Sequence, residues 1–197
     1  MDTSKLPQIV ALAGYAGSGK DTAALGLEPL GYRHEAFAAP LKAMALELNP
    51  IIERPWGMSA NIPLADLVDR YGWTRTKRLR DVREYLQFLG TEVVRRHLGY
   101  SAFVGALQRR IAVYTRQKTL SGFYPVVITD CRFANEAQWV LNWPTGIVIW
   151  INRPGIGPVN GHPSESADVK AMATFTIDND GDPEQLQARV RGLVESW

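Results

Sequence analysis

Ile9-Val10-Ala11-Leu12-Ala13-Gly14-Tyr15-Ala16-Gly17-Ser18-Gly19-Lys20-Asp21-Thr22 is the stretch that decides the fold. Its five leading apolar residues read as a strand covered on both faces, and Thr22-Ala23-Ala24-Leu25 opens a helical pattern. Between them lies a glycine-rich turn. Glycines let successive backbone N–H groups converge on a polyphosphate, and Lys20 at the helix start supplies a cation for the β and γ phosphates. Gly14, Ala16, Gly17, Ser18, Gly19, Lys20, Asp21 and Thr22 are therefore the candidate ATP-binding residues. The usual pattern G-x-x-x-x-G-K-[ST] sets a metal-ligating hydroxyl directly after the lysine. Here Asp21 holds that place and Thr22 the next, so both stand as candidate magnesium ligands.

The rest of the chain bounds what such a loop can serve. At 197 residues, 46% hydrophobic and 21% charged, it suits one well-buried core. A formal net charge of +2, with basic residues in no single long block, favours a nucleotide over a nucleic-acid duplex as partner. Cys131 is the only cysteine, which excludes an internal disulfide, and its apolar setting suits a small buried residue better than a nucleophile. The first strand begins a few residues from Met1, leaving no room for a signal peptide, and no apolar run approaches the ~20 residues that cross a bilayer. The expectation is a cytoplasmic protein with no membrane partner.

Beyond the first helix, which is expected to end near Pro29 to Gly31, Tyr32 to Ala38 reads as a second strand. Pro40 to Leu46 begins a helix with proline in its first turn. Lys42, near a strand's carboxyl end, is either a phosphate contact or a solvated lysine. Asn49 to Ala60 reads as a loop whose Trp56 is packed or available for stacking. Leu64 to Tyr71 and Val82 to Leu98 read as helices, the latter burying Val82, Tyr85, Leu86, Leu89 and Val93. Arg83, Gln87, Thr91 and Arg95 step by four along another face of it, spanning ~18 Å at ~1.5 Å per residue. That stripe, with Gly90 beside it, is either an acceptor-binding face or a solvated one.

Ser101 to Thr119 reads as a further helix with a solvated basic surface. Pro125-Val126-Val127-Ile128-Thr129-Asp130 is a buried strand ending in a carboxylate. Asp130 is a candidate to hold magnesium, with a helix N-cap as its competing role, and Arg132 can reach phosphate from the same edge. Gly146 to Ile151 is another buried strand. The 14 residues from Arg153 to Ser166 hold three glycines and three prolines and read as a lid, from which Arg153 can meet a transferring phosphoryl group. His162 in that loop is a general base or an ordinary polar residue. Ala173 to Ile177 forms a fifth strand, and Pro183 to Glu195 a closing helix capped by Asp182.

Five strands interleaved with helices imply an α/β fold, a parallel sheet sandwiched by helices, in a single domain. Its core is expected at 1–40 and 120–197, with a helical acceptor-binding insertion at about 41–119 and the lid at 153–166.

Several stretches together resemble the deoxynucleoside monophosphate kinases of tailed bacteriophages, within the P-loop nucleoside monophosphate kinases, a group that tolerates the Asp21 variant. They are Gly17 to Thr22, Phe37-Ala38-Ala39-Pro40-Leu41-Lys42, Leu86-Gln87-Phe88-Leu89-Gly90-Thr91-Glu92 with Arg95, Asp130-Cys131-Arg132-Phe133-Ala134-Asn135-Glu136, His162-Pro163-Ser164-Glu165 and Asn179-Asp180-Gly181. The resemblance implies the P-loop NTPase fold and transfer of the γ-phosphoryl of ATP to the 5′-phosphate of a deoxynucleotide, with magnesium. It turns Lys42, Arg83, Gln87, Gly90, Thr91 and Arg95 toward the acceptor and adds Asn179 and Gly181 to the ATP site. It gives Lys20, Arg132, Arg153 and Asp130 the catalytic roles, in the host cytoplasm if the gene belongs to a phage, as monomer or homodimer. Ala39 stands where the family often has aspartate. Kinases of another small acceptor such as dephospho-coenzyme A, a nucleotide-binding module without turnover, and a nucleic-acid-dependent ATPase are the rival readings.

Overall fold

The computed structural model describes residues 6–116, 124–158 and 167–197. Strand β1, Ile9–Ala13, is buried at every position, as its unbroken apolar sequence demands of a strand with helices on both faces. It pairs in parallel with β5, Val126–Cys131, on one side and β6, Gly146–Asn152, on the other, setting Ile9 opposite both Val126 and Gly146. The edges are β2, Arg33–Glu35, beside β5 and β7, Phe175–Asp178, beside β6, giving the order β2-β5-β1-β6-β7. This is the five-stranded parallel sheet expected from the sequence. Its edge strands differ in extent: β2 has three residues of the seven read as strand, and β7 begins at Phe175 rather than Ala173. Edge strands have one pairing neighbour, so their ends peel away sooner.

Alternation along β6 sorts its side chains between two faces. Ile147, Ile149 and Ile151 join Val10 and Leu12 of β1 in a core sealed by α1, Lys20–Leu25, and α9, Pro183–Glu195, through Ala23, Ala24, Leu186, Val190 and Val194. On the sheet, α7, Ala134–Leu141, packs against β6 and β1, and the short α8, Ala167–Ala171, against α7. The first helix is shorter than expected: it stops at Leu25, and a separate 3-10 turn, Glu28–Leu30, carries Pro29, which has no N–H to continue an α-helix. At the other end of the chain, Asp182 caps α9 by accepting from the Gln185 N–H at 2.8 Å, with Pro183 at its first position, as the sequence implies.

The chain divides into two units, residues 1–37 with 104–197, and Ala38–Phe103. The second has its own core of Ala45, Ile52, Leu64, Leu67, Val82 and Leu89. It contains α2, Ala39–Leu48, then an antiparallel pair of two-residue strands, β3 Ile51–Ile52 inside the stretch read as loop and β4 Ile62–Pro63 just after it. Helix α3, Leu64–Thr76, runs past the expected Tyr71, with a break at Gly72. The helix read as Val82 to Leu98 begins as α4, Arg80–Phe88, passes through a π turn, Leu89–Arg95, and ends as α5, Arg96–Leu98. Bonding from i to i+5 puts an extra residue in the turn and shifts the phase of everything beyond it. So Val93, expected in the buried stripe, is 37% exposed, while Val94 is 4% exposed. Helix α6, Ala102–Arg116, belongs to the first unit from Val104 onward, where its Arg110 pairs with the buried carboxylate of Glu35 on β2. The sequence boundary of about 119 for the insertion therefore differs from the second unit's end at Phe103. Among the described residues no helix is long and apolar enough to cross a membrane.

Candidate functional site

The phosphate loop leaves β1 and folds over itself. The Ser18 N–H donates to the Tyr15 carbonyl at 3.1 Å, and Ser18 is 1% exposed. Gly19 then takes φ +101°, and a Cβ there would lie 2.6 Å from Asn179 Nδ2, so both its backbone angle and its neighbour require glycine. That same Nδ2 donates to the Ser18 carbonyl at 2.8 Å. Lys20 opens α1 with its side chain turned back on the loop: Nζ donates to the carbonyls of Gly14 and Tyr15, each at 2.8 Å, and to Ser18 Oγ at 3.4 Å. The ammonium is thus held within the loop by two of its carbonyls and a hydroxyl. Asp21 is exposed and Thr22 half-buried in the same turn.

A second group sits at the end of β5. Between Ala11/Ala13 of β1 and Ile128/Cys131 of β5 the pairing slips by one residue, a bulge that falls at Thr129 and Asp130. Asp130 Oδ1 accepts the Phe37 N–H at 2.7 Å, tying the end of β5 to the segment that leaves β2. The competing N-cap role for Asp130 is corrected by the structure, since the residue at the N-cap of α7 is Phe133. The turn into α7 is held by buried Glu136, whose Oε2 accepts from the N–H of Arg132 at 2.9 Å and of Phe133 at 3.1 Å. The Arg132 side chain is exposed. Cys131 is buried, and desolvation, then the charges of Glu136 and Asp130, push its thiol well above the ordinary range. A protonated, enclosed thiol is no nucleophile.

The loops after β6 and β7 complete the edge. Arg153 Nη1 donates to the Gly17 carbonyl at 3.3 Å, so this arginine already touches the phosphate loop. Asn179 is 9% exposed, and its N–H donates to the Asn152 carbonyl at 2.7 Å. Next to it, Arg189 binds Asp180 at 2.6 Å and holds that carboxyl below its usual range, with exposed Gly181 following. Lys20, Ser18, Arg153 and Asn179 are thus brought together around one loop, at the carboxyl edge of a parallel sheet where ligands gather. The rest of the expected lid, 159–166 with His162-Pro163-Ser164-Glu165, lies outside the described residues, as do 117–119 of the helix read as Ser101 to Thr119.

In the second unit Lys42 lies in the first turn of α2, half-buried. The four-residue ladder runs from exposed Arg83 to half-buried Gln87 on α4, and the π turn breaks it before Arg95. Arg95 consequently faces Gly90, five residues back, rather than Thr91: Nη1 donates to the Gly90 carbonyl at 3.4 Å. Its guanidinium carbon lies 4.6 Å from the ring centre of Phe103. Gly90 is buried, and a Cβ on it would stand 3.2 Å from Leu41 Cδ2. Trp56 is 39% exposed and meets Tyr71 edge-on at 4.9 Å, with the Arg75 guanidinium over both rings. Phe37, Glu136 and Phe103 are the contacts that sequence reasoning missed. Phe37 acts through its backbone, and Phe103 has only the look of a core residue.

As for magnesium, Thr22 Oγ1 and the carboxylates of Asp21 and Asp130 are hard oxygen donors, the set this ion takes together with nucleotide phosphates and water. The residues present fit it.

No family model matches the chain. A curated protein of Acanthamoeba polyphaga mimivirus described as "Putative deoxynucleotide monophosphate kinase" is 32% identical over 178 residues, 86% of each chain. Among solved structures, a dephospho-CoA kinase from Campylobacter jejuni matches with a TM-score of 0.52 at 10% identity over 96% of both chains. A solved protein of Thermus thermophilus, TT1252, matches with a TM-score of 0.50 at 18% identity over 98% of both chains. These two likenesses show the fold.

Proposed function

The chain belongs to the P-loop kinases, in the family of its mimivirus relative, and from that premise we propose that it phosphorylates deoxynucleoside monophosphates. ATP would give its γ-phosphoryl to the 5′-phosphate of the acceptor, yielding ADP and a deoxynucleoside diphosphate. The observation that carries this reading is the likeness, across most of both chains, to a relative described by that activity.

The acceptor phosphate oxygen is already a nucleophile, so the reaction needs no general base. Its lone pair forms the new P–O bond as the bond to the β,γ-bridging oxygen breaks and ADP leaves with that electron pair. The protein's part is alignment and charge neutralisation. Loop N–H groups of Gly14 to Gly19 would cradle the donor phosphates, with Lys20 released from its carbonyls onto them. Asn179 would keep the loop in shape, with Gly181 beside it. Arg153 and Arg132 would neutralise the transferring group. Lys42, Arg83, Gln87, Gly90, Thr91 and Arg95 would hold the acceptor. Magnesium, held with the phosphates by Asp130 and by Thr22 or Asp21, would neutralise donor charge.

ADP release measured with dAMP, dCMP, dGMP, dTMP and dephospho-coenzyme A in turn tests this. Turnover with at least one deoxynucleotide is expected, falling at least ~100-fold in Lys20→Ala, a loss of the size seen when one charge-stabilising donor is removed. Circular dichroism should show that variant folded. Turnover with dephospho-coenzyme A alone, or a wild-type rate in Lys20→Ala, refutes the reading.

A further inference from the structure

The π turn, Leu89–Arg95, brings together residues that an α-helix would have kept apart. In an α-helix Arg95 would lie over Thr91; with i to i+5 bonding, shown by the Arg96 N–H reaching the Thr91 carbonyl, it lies over Gly90 instead. Glycine suits that place, because a Cβ there would crowd Leu41 at 3.2 Å and approach Arg95 Nη1 at 3.8 Å. Phe103 closes the other side: it is 4% exposed and stands just inside the next helix, its ring 4.6 Å from the guanidinium carbon. Both contacts lie within the unit Ala38–Phe103.

We propose that Phe103 is a positioning residue, one that fixes the guanidinium of Arg95, with Gly90 and the π turn, for a phosphate of the acceptor; this rests on the reading of Arg95 given above. An arginine over an aromatic face is attracted by the ring quadrupole, most strongly where water is excluded, as against a buried phenyl ring. The tie from Nη1 to the Gly90 carbonyl fixes its rotation as well. Arginine recognises phosphate through a planar fork of donors, so a plane fixed in advance saves the entropy of ordering it on binding. A leucine would fill only part of that volume and present no aromatic face.

Steady-state kinetics on Phe103→Leu, Phe103→Met, Phe103→Tyr and Arg95→Ala, with ATP and whichever of the four deoxynucleotides turns over fastest, tests this, with a thermal melt on each variant. The Leu and Met variants are expected to raise the acceptor KM ~3- to 10-fold, the range of a partly desolvated cation–π contact. The kcat and the KM for ATP should stay within about twofold of wild type by the same argument, and Phe103→Tyr, which keeps the ring, should restore the acceptor KM. Wild-type acceptor KM in whichever of the Leu and Met variants remains folded overturns the proposal, and so does a Tyr variant as impaired as they are. If Arg95→Ala raises the acceptor KM and the ring variants do not, the positioning role alone falls. If Arg95→Ala leaves it unchanged, the acceptor role of Arg95 falls and the positioning role with it.

Discussion

Asn179 Nδ2 donates to the Ser18 carbonyl at 2.8 Å, fastening the loop after β7 to the phosphate loop across 161 positions of sequence. The carbonyl it takes belongs to a buried serine, and the glycine that follows leaves room for the amide. The shape of the phosphate loop is thus held by a side chain far along the chain.

Asn179→Ala is accordingly expected to act on the donor. With the strut gone, the Kd for ATP should rise about tenfold, equivalent to about 1.4 kcal/mol. Asn179→Asp, which cannot donate, should behave alike. Isothermal titration with ATP measures both, and wild-type affinity in either would mean that the loop keeps its shape unaided.

Asp130 can be divided into two parts by substitution. Asp130→Asn keeps an oxygen for the Phe37 N–H and removes the charge, whereas Asp130→Ala loses both. Only the alanine variant should lose stability, by about 1–3 kcal/mol for a buried donor left unmet. Both should need more magnesium for half-maximal rate. An asparagine variant with unaltered magnesium dependence would remove Asp130 from the metal site.

Glu136→Ala leaves the N–H groups of Arg132 and Phe133 without their acceptor. Urea unfolding should show a loss of about 2–3 kcal/mol, large for a residue that touches no ligand. A change under about 0.5 kcal/mol, the scatter of surface substitutions, would show that the turn holds by other means.

The raised thiol of Cys131 has two readouts. Native protein at pH 8 should resist a thiol reagent that labels it on unfolding. The unfolded thiol ionises near its ordinary value of about 8.5 while the native one stays protonated, so the contribution to stability is complete below that pH and declines above it. Rapid labelling of the folded protein would contradict the burial.

The parts of this fold legible in the sequence are those written locally. An apolar pentad gave β1, Pro40 and Pro183 marked helix starts, Asp182 a cap, and three glycines with Lys20 a phosphate loop. The π turn was not legible, because a period of 3.6 sets Val93 on the face of Leu89 and turns Val94 away from it, and the extra residue that reverses the two is decided by packing within the Ala38–Phe103 unit. The hairpin of β3 and β4 is too short to show a period at all. Of the candidate site, the residue types were readable and the ties between them were not. The links from Phe37 to Asp130 and from Asn179 to Ser18 join backbone groups to distant side chains, and backbone groups carry no residue-type signal.

The register of β1 has a consequence for synthesis. Its neighbours Val126–Cys131 and Gly146–Asn152 are made more than a hundred residues after Ile9. As the nascent chain lengthens, the contiguous segment Ala38–Phe103 can gather its own apolar side chains while this central strand still waits, water-exposed, for both companions. Ribosomal stalling before Val126 emerges would strand a pentapeptide of pure hydrocarbon character in the open, the moment at which a chaperone has most to shield.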